Sequence, residues 1–200
     1  KREDDFDHVA DMKLKEEIFK GTPLEYDPIG SKKSVEAISL DDIKVFLKSS
    51  LTLETTTVVM GGDMSQKEAK AVISKLLSSL PKGDKGVKEL NISAKSSKKE
   101  IKTKKTTQQA YIYFGAPLNL SPTDKEAYKA RLASFILGSS GFGSRLMEII
   151  RVKNGLAYSA YSRYNLSKSH SYFSGHLQTK LENEDKAKEL GFKKISLLVD

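Results

Sequence analysis

Between residues 82 and 106 the chain changes character. Lysine, serine and glycine dominate, apolar residues are few, and Lys95, Lys98, Lys99, Lys102, Lys104 and Lys105 form one dense run. A stretch of that composition cannot bury enough apolar surface to build a core. It divides the 200 residues into 1–82, a connector at 83–106, and 107–200. Each flanking stretch must find its own core. Short strands around Leu90 to Ile92 are the only regular structure expected inside the connector.

Before the break, Phe6, Val9, Ala10, Leu14 and Ile18 recur at helix spacing from Asp5 to Lys20, and Gly21 is a stop signal. Two prolines and two glycines make Gly21 to Gly30 a loop. Ser39-Leu40-Asp41-Asp42 reads as a capping box, followed by a helix with Ile43, Phe46 and Leu47 on one side. Leu53 to Met60 is rich in β-branched residues and predicts a strand. Ser65-Gln66-Lys67-Glu68 is a second capping box. Its helix carries Ala69, Val72, Ile73, Leu76, Leu77 and Leu80 on one stripe.

After the break, Gln109 to Phe114 predicts a strand, and Ser121-Pro122-Thr123-Asp124 predicts a helix start. That helix is expected to reach Leu137. Gly138 to Gly143 breaks it, and a second helix is expected over Ser144 to Lys153. Strands follow over Leu156 to Tyr164 and Ser169 to Lys180, then a helix from Asn183 that is still running at Asp200. The order is α-α-β-α, connector, β-α-α-β-β-α. Adjacent strand pairs favour an α+β layer architecture over a doubly wound parallel sheet.

The chain is 38% hydrophobic and 30% charged, which suits a globular protein. Its formal charge of +8 invites a nucleic-acid reading. The excess is mostly lysine, however, and no aromatic side chain interleaves with the lysine run. Base readout favours arginine and single-strand binding favours aromatic platforms, so a solvated connector and no nucleic-acid partner are expected. Cysteine is absent, which excludes disulfides and thiolate metal sites. No apolar run approaches the roughly 18 residues of a membrane span. Lys1 stands where a starting methionine would, and the last helical pattern is unfinished, so a fragment of a longer chain is expected.

Candidate chemistry is sparse. Of the three histidines, His8, His170 and His176, none has a partner at metal-ligand helix spacing, and H-x-x-E-H and H-E-x-x-H are both missing. His170 and His176 are expected on one face of one strand, without an evident third ligand. Gly138, Gly141 and Gly143 surround serines before a helix, but no P-loop pattern follows, so a tight connection is expected there. No G-x-S-x-G elbow exists and no histidine pairs with a serine at a readable spacing. The most distinctive stretch is Gly141 to Tyr161. Arg151 offers a fork of donors for a carbonyl or carboxylate, and the Tyr158 hydroxyl can donate to an oxyanion. The chemistry alone favours another reading, with Arg151 paired to an acid and Tyr158 packed at a sheet edge.

The run LGSSGFGSRLMEIIRVKNGLAYS resembles the second-domain signature of the M16 metallopeptidases, the inverted-zincin family that includes pitrilysin, insulin-degrading enzyme and the mitochondrial processing peptidases. Gly141, Ser144, Arg145, Leu146, Arg151, Gly155, Leu156, Ala157 and Tyr158 carry the match. Val152-Lys153-Asn154 departs from it, standing where an acidic-then-basic pair is usual. LEYDPIGSKKSVEAISLDDIKVFLKSSL, VVMGGD at Val58 to Asp63 and QQAYIYFGAP at Gln108 to Pro117 extend the resemblance over nearly the whole chain.

The resemblance implies two similar sheet-plus-helices domains enclosing a peptide chamber, each only partly present. Residues 1–82 would be the C-terminal half of the first, 83–106 the linker, and 107–200 the N-terminal half of the second. It implies zinc in the parent protein and none in this stretch. The third zinc ligand would fall just before Lys1, and Glu3 is not assigned to that role. No catalytic residue is expected here. Arg151 and Tyr158 match the pair that reaches across the chamber to hold substrate backbone, and Arg145 would support its helix. The implied function is part of a zinc endopeptidase acting on peptides or unfolded polypeptide, inactive as this piece alone. The alternative is part of a non-catalytic partner subunit that binds peptide or braces a catalytic one. A homodimer or a heterodimer with another M16 subunit is implied, in cytoplasm or periplasm.

Overall fold

A computed structural model describes residues 4–84 and 90–196. Its chain sorts into two compact units, one made of Lys1–Pro28 with Leu90–Asp200, the other of Ile29–Glu89. Glu3, the 85–89 part of the expected connector and the continuation of the last helix past residue 196 lie outside the described residues.

The first helix, α1 (Phe6–Ile18), is capped by the Asp5 carboxylate, which accepts from His8 N at 3.1 Å. Gly21 follows in the left-handed region (φ 83) and turns the chain away. In the unit Ile29–Glu89, α2 (Lys32–Glu36) precedes α3 (Leu40–Ser50) and α4 (Gln66–Leu77). Both expected capping boxes form. Asp42 N donates to Ser39 Oγ at 3.1 Å, and Ser39 N donates to the Asp42 carboxylate at 2.8 Å. Ser65 and Glu68 repeat this at 3.3 and 2.8 Å. Serine hydrogen bonds hold both carboxyls below the usual range.

Leu53 to Met60 is not a strand. Leu53 N donates to Pro81 O at 2.9 Å and Glu54 N to Lys82 O at 3.1 Å, after which the chain is unpaired in any sheet and Val59 is 92% exposed. β-Branched residues favour a pleated, half-buried surface only when a neighbouring strand supplies the ladder, and no described residue does so. The α3 stripe stays open too, with Phe46 66% exposed.

In the other unit, β1 (Gln109–Pro117) leads to Ser121. The expected helix start there is a single turn. Asp124 N donates to Ser121 O at 3.1 Å, and the Asp124 carboxylate accepts from Ser121 N at 2.5 Å. Ser121 Oγ accepts from Thr123 N at 3.4 Å and also pairs with Thr123 Oγ1 at 2.9 Å, so these local bonds close one turn that does not continue as the helix. The helix α5 (Ala127–Ser134) begins later and widens into a π-helical turn, Phe135–Ser139. β2 (Ala157–Asn165), β3 (Tyr172–Lys180) and α6 (Glu184–Ser196) follow.

The sheet is antiparallel with order β1-β3-β2, and Tyr113 and Tyr161 both stand opposite His176. Burial along β3 alternates: Phe173, Gly175, Leu177 and Thr179 are buried, while Tyr172, Ser174, His176 and Gln178 are half-buried. The buried face meets Leu137, Leu146, Met147, Ile150 and Ala187 to make the main core. On the other face α1 packs against β1. Ile18 and Phe19 meet Ile92 and Ala94 in a second cluster. The fold is α+β.

No strand forms at Leu90 to Ile92. The segment from residue 90 is extended and pinned by Ile92 N to Ser169 O and Lys95 N to Ile18 O, both 2.7 Å. Lysines of the dense run lie beside acids, Lys99 to Glu17 at 3.2 Å and Lys102 to Glu184 at 3.2 Å.

Candidate functional site

The glycine-rich stretch is built from three consecutive irregularities. The π-helical turn closes with Ser140 N on Phe135 O at 3.3 Å. A single 3-10 turn, Gly141–Gly143, follows, and Ser144 N donates to Gly141 O at 3.0 Å. Gly141 takes φ 67, which a side chain would resist. Ser144 Oγ then accepts from Met147 N at 3.3 Å and starts the second helical segment.

That segment is π-helical over Met147–Lys153. π-Helical turns shift side chains out of α-helical phase and recur at functional sites. Arg151 sits within it. Gly155 (φ 60) ends it, with Gly155 N on Arg151 O and Leu156 N on Ile150 O, both 2.9 Å. This is a Schellman-type stop widened by one residue. The chain enters β2 at once, and there the register slips: Ala157 faces Thr179 and Ser159 faces Gln178. Tyr158 is the extra residue of this bulge, and a bulge re-aims the side chain it carries. Tyr158 is 67% exposed.

These devices bring Arg151 and Tyr158 together and add a residue that the sequence reading left inside a loop. The Arg151 guanidinium carbon lies 4.8 Å from the centre of the Phe142 ring and 5.2 Å from that of Tyr158. Two aromatic faces thus hold one half-buried cation. Among the described residues the Arg151 side chain has no hydrogen bond and no ion pair. The nearby acid Glu148 faces Lys153 at 3.4 Å. Arg145 is exposed. Phe142 was legible only as a lone aromatic among glycines and serines.

A second cluster lies on the half-buried face of the sheet. Ser159 Oγ and His176 Nε2 are 3.2 Å apart, a pairing across strands that no sequence spacing revealed. The His176 ring stacks on Tyr113 at 5.4 Å and tilts against Tyr161 at 5.6 Å. His170 does not share this strand. It precedes β3, bonded to Ser169 Oγ at 2.8 Å and packed edge-on against Phe19. Burial lowers the His176 imidazole below its ordinary value, against the opposing pull of Asp7 and Asp11. A histidine depressed in the folded state adds stability that is full above the unfolded value and fades as pH falls through the folded one. Urea midpoints at pH 7.5 and pH 5 should therefore drop more for the native protein than for His176→Gln. Equal drops would remove His176 as the source.

Zinc is the metal expected of the parent family. Among the described residues no group of three or more His, Asp or Glu side chains could hold a metal ion. Among the same residues no helix is long and apolar enough to cross a membrane.

Comparison with known proteins agrees with the fold and the signature. Residues 37–200 match the family described as Peptidase M16 inactive domain. A Helicobacter pylori protein named Non-peptidase homolog YmxG is 41% identical over 186 residues, covering 93% of this chain and 43% of that protein. A Rickettsia bellii protein named Uncharacterized zinc protease is 28% identical over 164 residues, covering 82% and 38%. The crystal structure of a peptidase M16 inactive domain from Pseudomonas fluorescens superposes with a TM-score of 0.83 at 27% identity, covering 94% of this chain and 45% of that one. The chain spans less than half the length of these relatives. It belongs to the Peptidase M16 inactive domain family.

Proposed function

We propose that this chain is part of a non-catalytic M16 subunit that binds peptide through Arg151 and Tyr158, beside a catalytic M16 partner or a second copy. The observation that carries this is the half-buried Arg151 guanidinium, seated over two exposed rings with no acceptor among the described residues. A cation so placed is a donor in want of a carbonyl or carboxylate. The name of the Helicobacter relative supports the non-catalytic half of the reading. In the same reading, 1–82 close one domain, 83–106 link, and 107–200 open the next.

A second reading is part of a zinc endopeptidase, and the name of the Rickettsia relative favours it. Its zinc ligands would come from outside these 200 residues.

One experiment separates them. The full-length protein is mixed with fluorescein-labelled mixed-sequence peptides, and binding, cleavage and bound zinc are measured together. Binding without cleavage is expected. Arg151→Ala should weaken binding by about tenfold or more, and Tyr158→Phe by a few fold. Cleavage with bound zinc establishes the second reading. Unchanged affinity in both variants removes the site.

A further inference from the structure

The ligand of Arg151 has a chemistry that the site itself narrows. We propose that Phe142, Arg151 and Tyr158 form a clamp for a peptide carboxylate, in which Phe142 positions the guanidinium; this rests on the peptide-binding reading above.

A guanidinium is a permanent cation in proteins. Its flexible stem would ordinarily sample many rotamers, at a substantial entropic cost when a ligand fixes it. Contact with the Phe142 and Tyr158 rings limits that freedom before any ligand arrives. Ring faces attract the cation but take none of its N–H donors in conventional hydrogen bonds. The donors remain available in their fixed fork. The acceptor that matches such a fork is a planar pair of oxygens carrying the opposite charge. A backbone carbonyl offers one neutral oxygen and leaves the half-buried charge uncompensated.

The surroundings leave room for such a ligand. A side-chain carbon built at Gly141 or at Gly155 would meet none of the described residues within 4 Å. Phe142 is 65% exposed and Tyr158 67%. The acid closest in sequence, Glu148, faces Lys153. The whole chain carries a formal charge of +8, which favours approach of an acidic peptide. Phe142 stands just beyond Gly141 (φ 67) in the 3-10 turn, so its ring is held by backbone geometry and not by the core.

The probes are four labelled peptides of one sequence: a free C-terminus with an internal Glu, its C-terminal amide, the Glu→Gln form, and the form with both changes. They are titrated into the full-length protein and into Phe142→Ala, Phe142→Tyr and Arg151→Lys. A carboxylate ligand predicts that the peptide lacking both carboxylates binds about tenfold or more weakly. The two singly changed peptides tell whether the C-terminus or the side chain is gripped. Phe142→Ala should lose most of the preference for carboxylate with its thermal midpoint unchanged, because the ring is exposed. Phe142→Tyr should restore the preference, and Arg151→Lys should abolish it.

Equal affinity for all four peptides overturns the carboxylate assignment, and if Arg151→Ala still weakens them all, the broader peptide-binding reading survives. A preference untouched by Phe142→Ala overturns the role of Phe142. No binding of any peptide overturns both readings.

Discussion

Gly138→Ala should destabilise the sheet-bearing unit by about 3 kcal/mol. Helix propensity alone argues the other way, since alanine is favoured over glycine inside a helical turn by about 1 kcal/mol. Contact decides the sign. A side-chain carbon at Gly138 would stand 2.3 Å from both Ser162 N and Ser162 Oγ, and 2.9 Å from Ser162 Cα. Two of these atoms are backbone in the middle of β2, which is paired to β3 on its far side and cannot withdraw. Ser162 Oγ is itself buried with no hydrogen-bond partner among the described residues, so no bond steers it aside. Gly143→Ala is the matched control, because its nearest neighbour would be Ser140 Oγ at 3.8 Å. Urea unfolding of the two variants checks the claim. A midpoint for Gly138→Ala at or above that of Gly143→Ala would show that the two segments separate freely.

Ile150→Ala should cost about 3 kcal/mol, by lost burial and by the cavity left behind. Ile150 is fully buried among Leu137, Leu146 and Leu177. Its Cδ1 lies 3.6 Å from where a side-chain carbon at Gly191 on α6 would stand, and Leu177 Cδ1 lies 3.2 Å from the same point. The residue thus wedges the π-helical segment between β3 and α6. It also neighbours Arg151 in that segment and accepts from Leu156 N at 2.9 Å. The variant should therefore bind peptide more weakly than its stability loss explains, once measured where it remains fully folded. Native-like affinity in the folded variant would detach the clamp from the core.

What the sequence made legible follows the range of the forces involved. The starts of α3 and α4 were readable because Ser39 with Asp42, and Ser65 with Glu68, complete their bonds within one turn. β2 and β3 were readable because their alternation is local and each has a neighbour. Leu53 to Met60 has the same local preference and no ladder, and preference without pairing makes no strand. At Ser121 the cap-type bonds do form, Ser121 Oγ accepting from Thr123 N and the Asp124 carboxylate from Ser121 N, but they close a single turn and the helix begins only at Ala127. At the site, Arg151 and Tyr158 stood out by resemblance, but Phe142 did not. Its role depends on a turn at Gly141, a π-helical phase shift and a one-residue bulge acting together, and of these only the turn, with its glycines, has a short-range signature.

The outer edge of β2 has a further consequence. Ala160 N donates to Met147 Sδ at 3.3 Å, Tyr164 N donates to Ser134 Oγ at 3.3 Å, and Ser162 N between them is shut in by Gly138. Amides already taken in this way cannot template a new strand. The helical segments act as a selvedge that stops the weave on that side. Any strand that extends this sheet, whether from the same polypeptide or from another molecule, must be laid along β1, so the sheet can grow in one direction only.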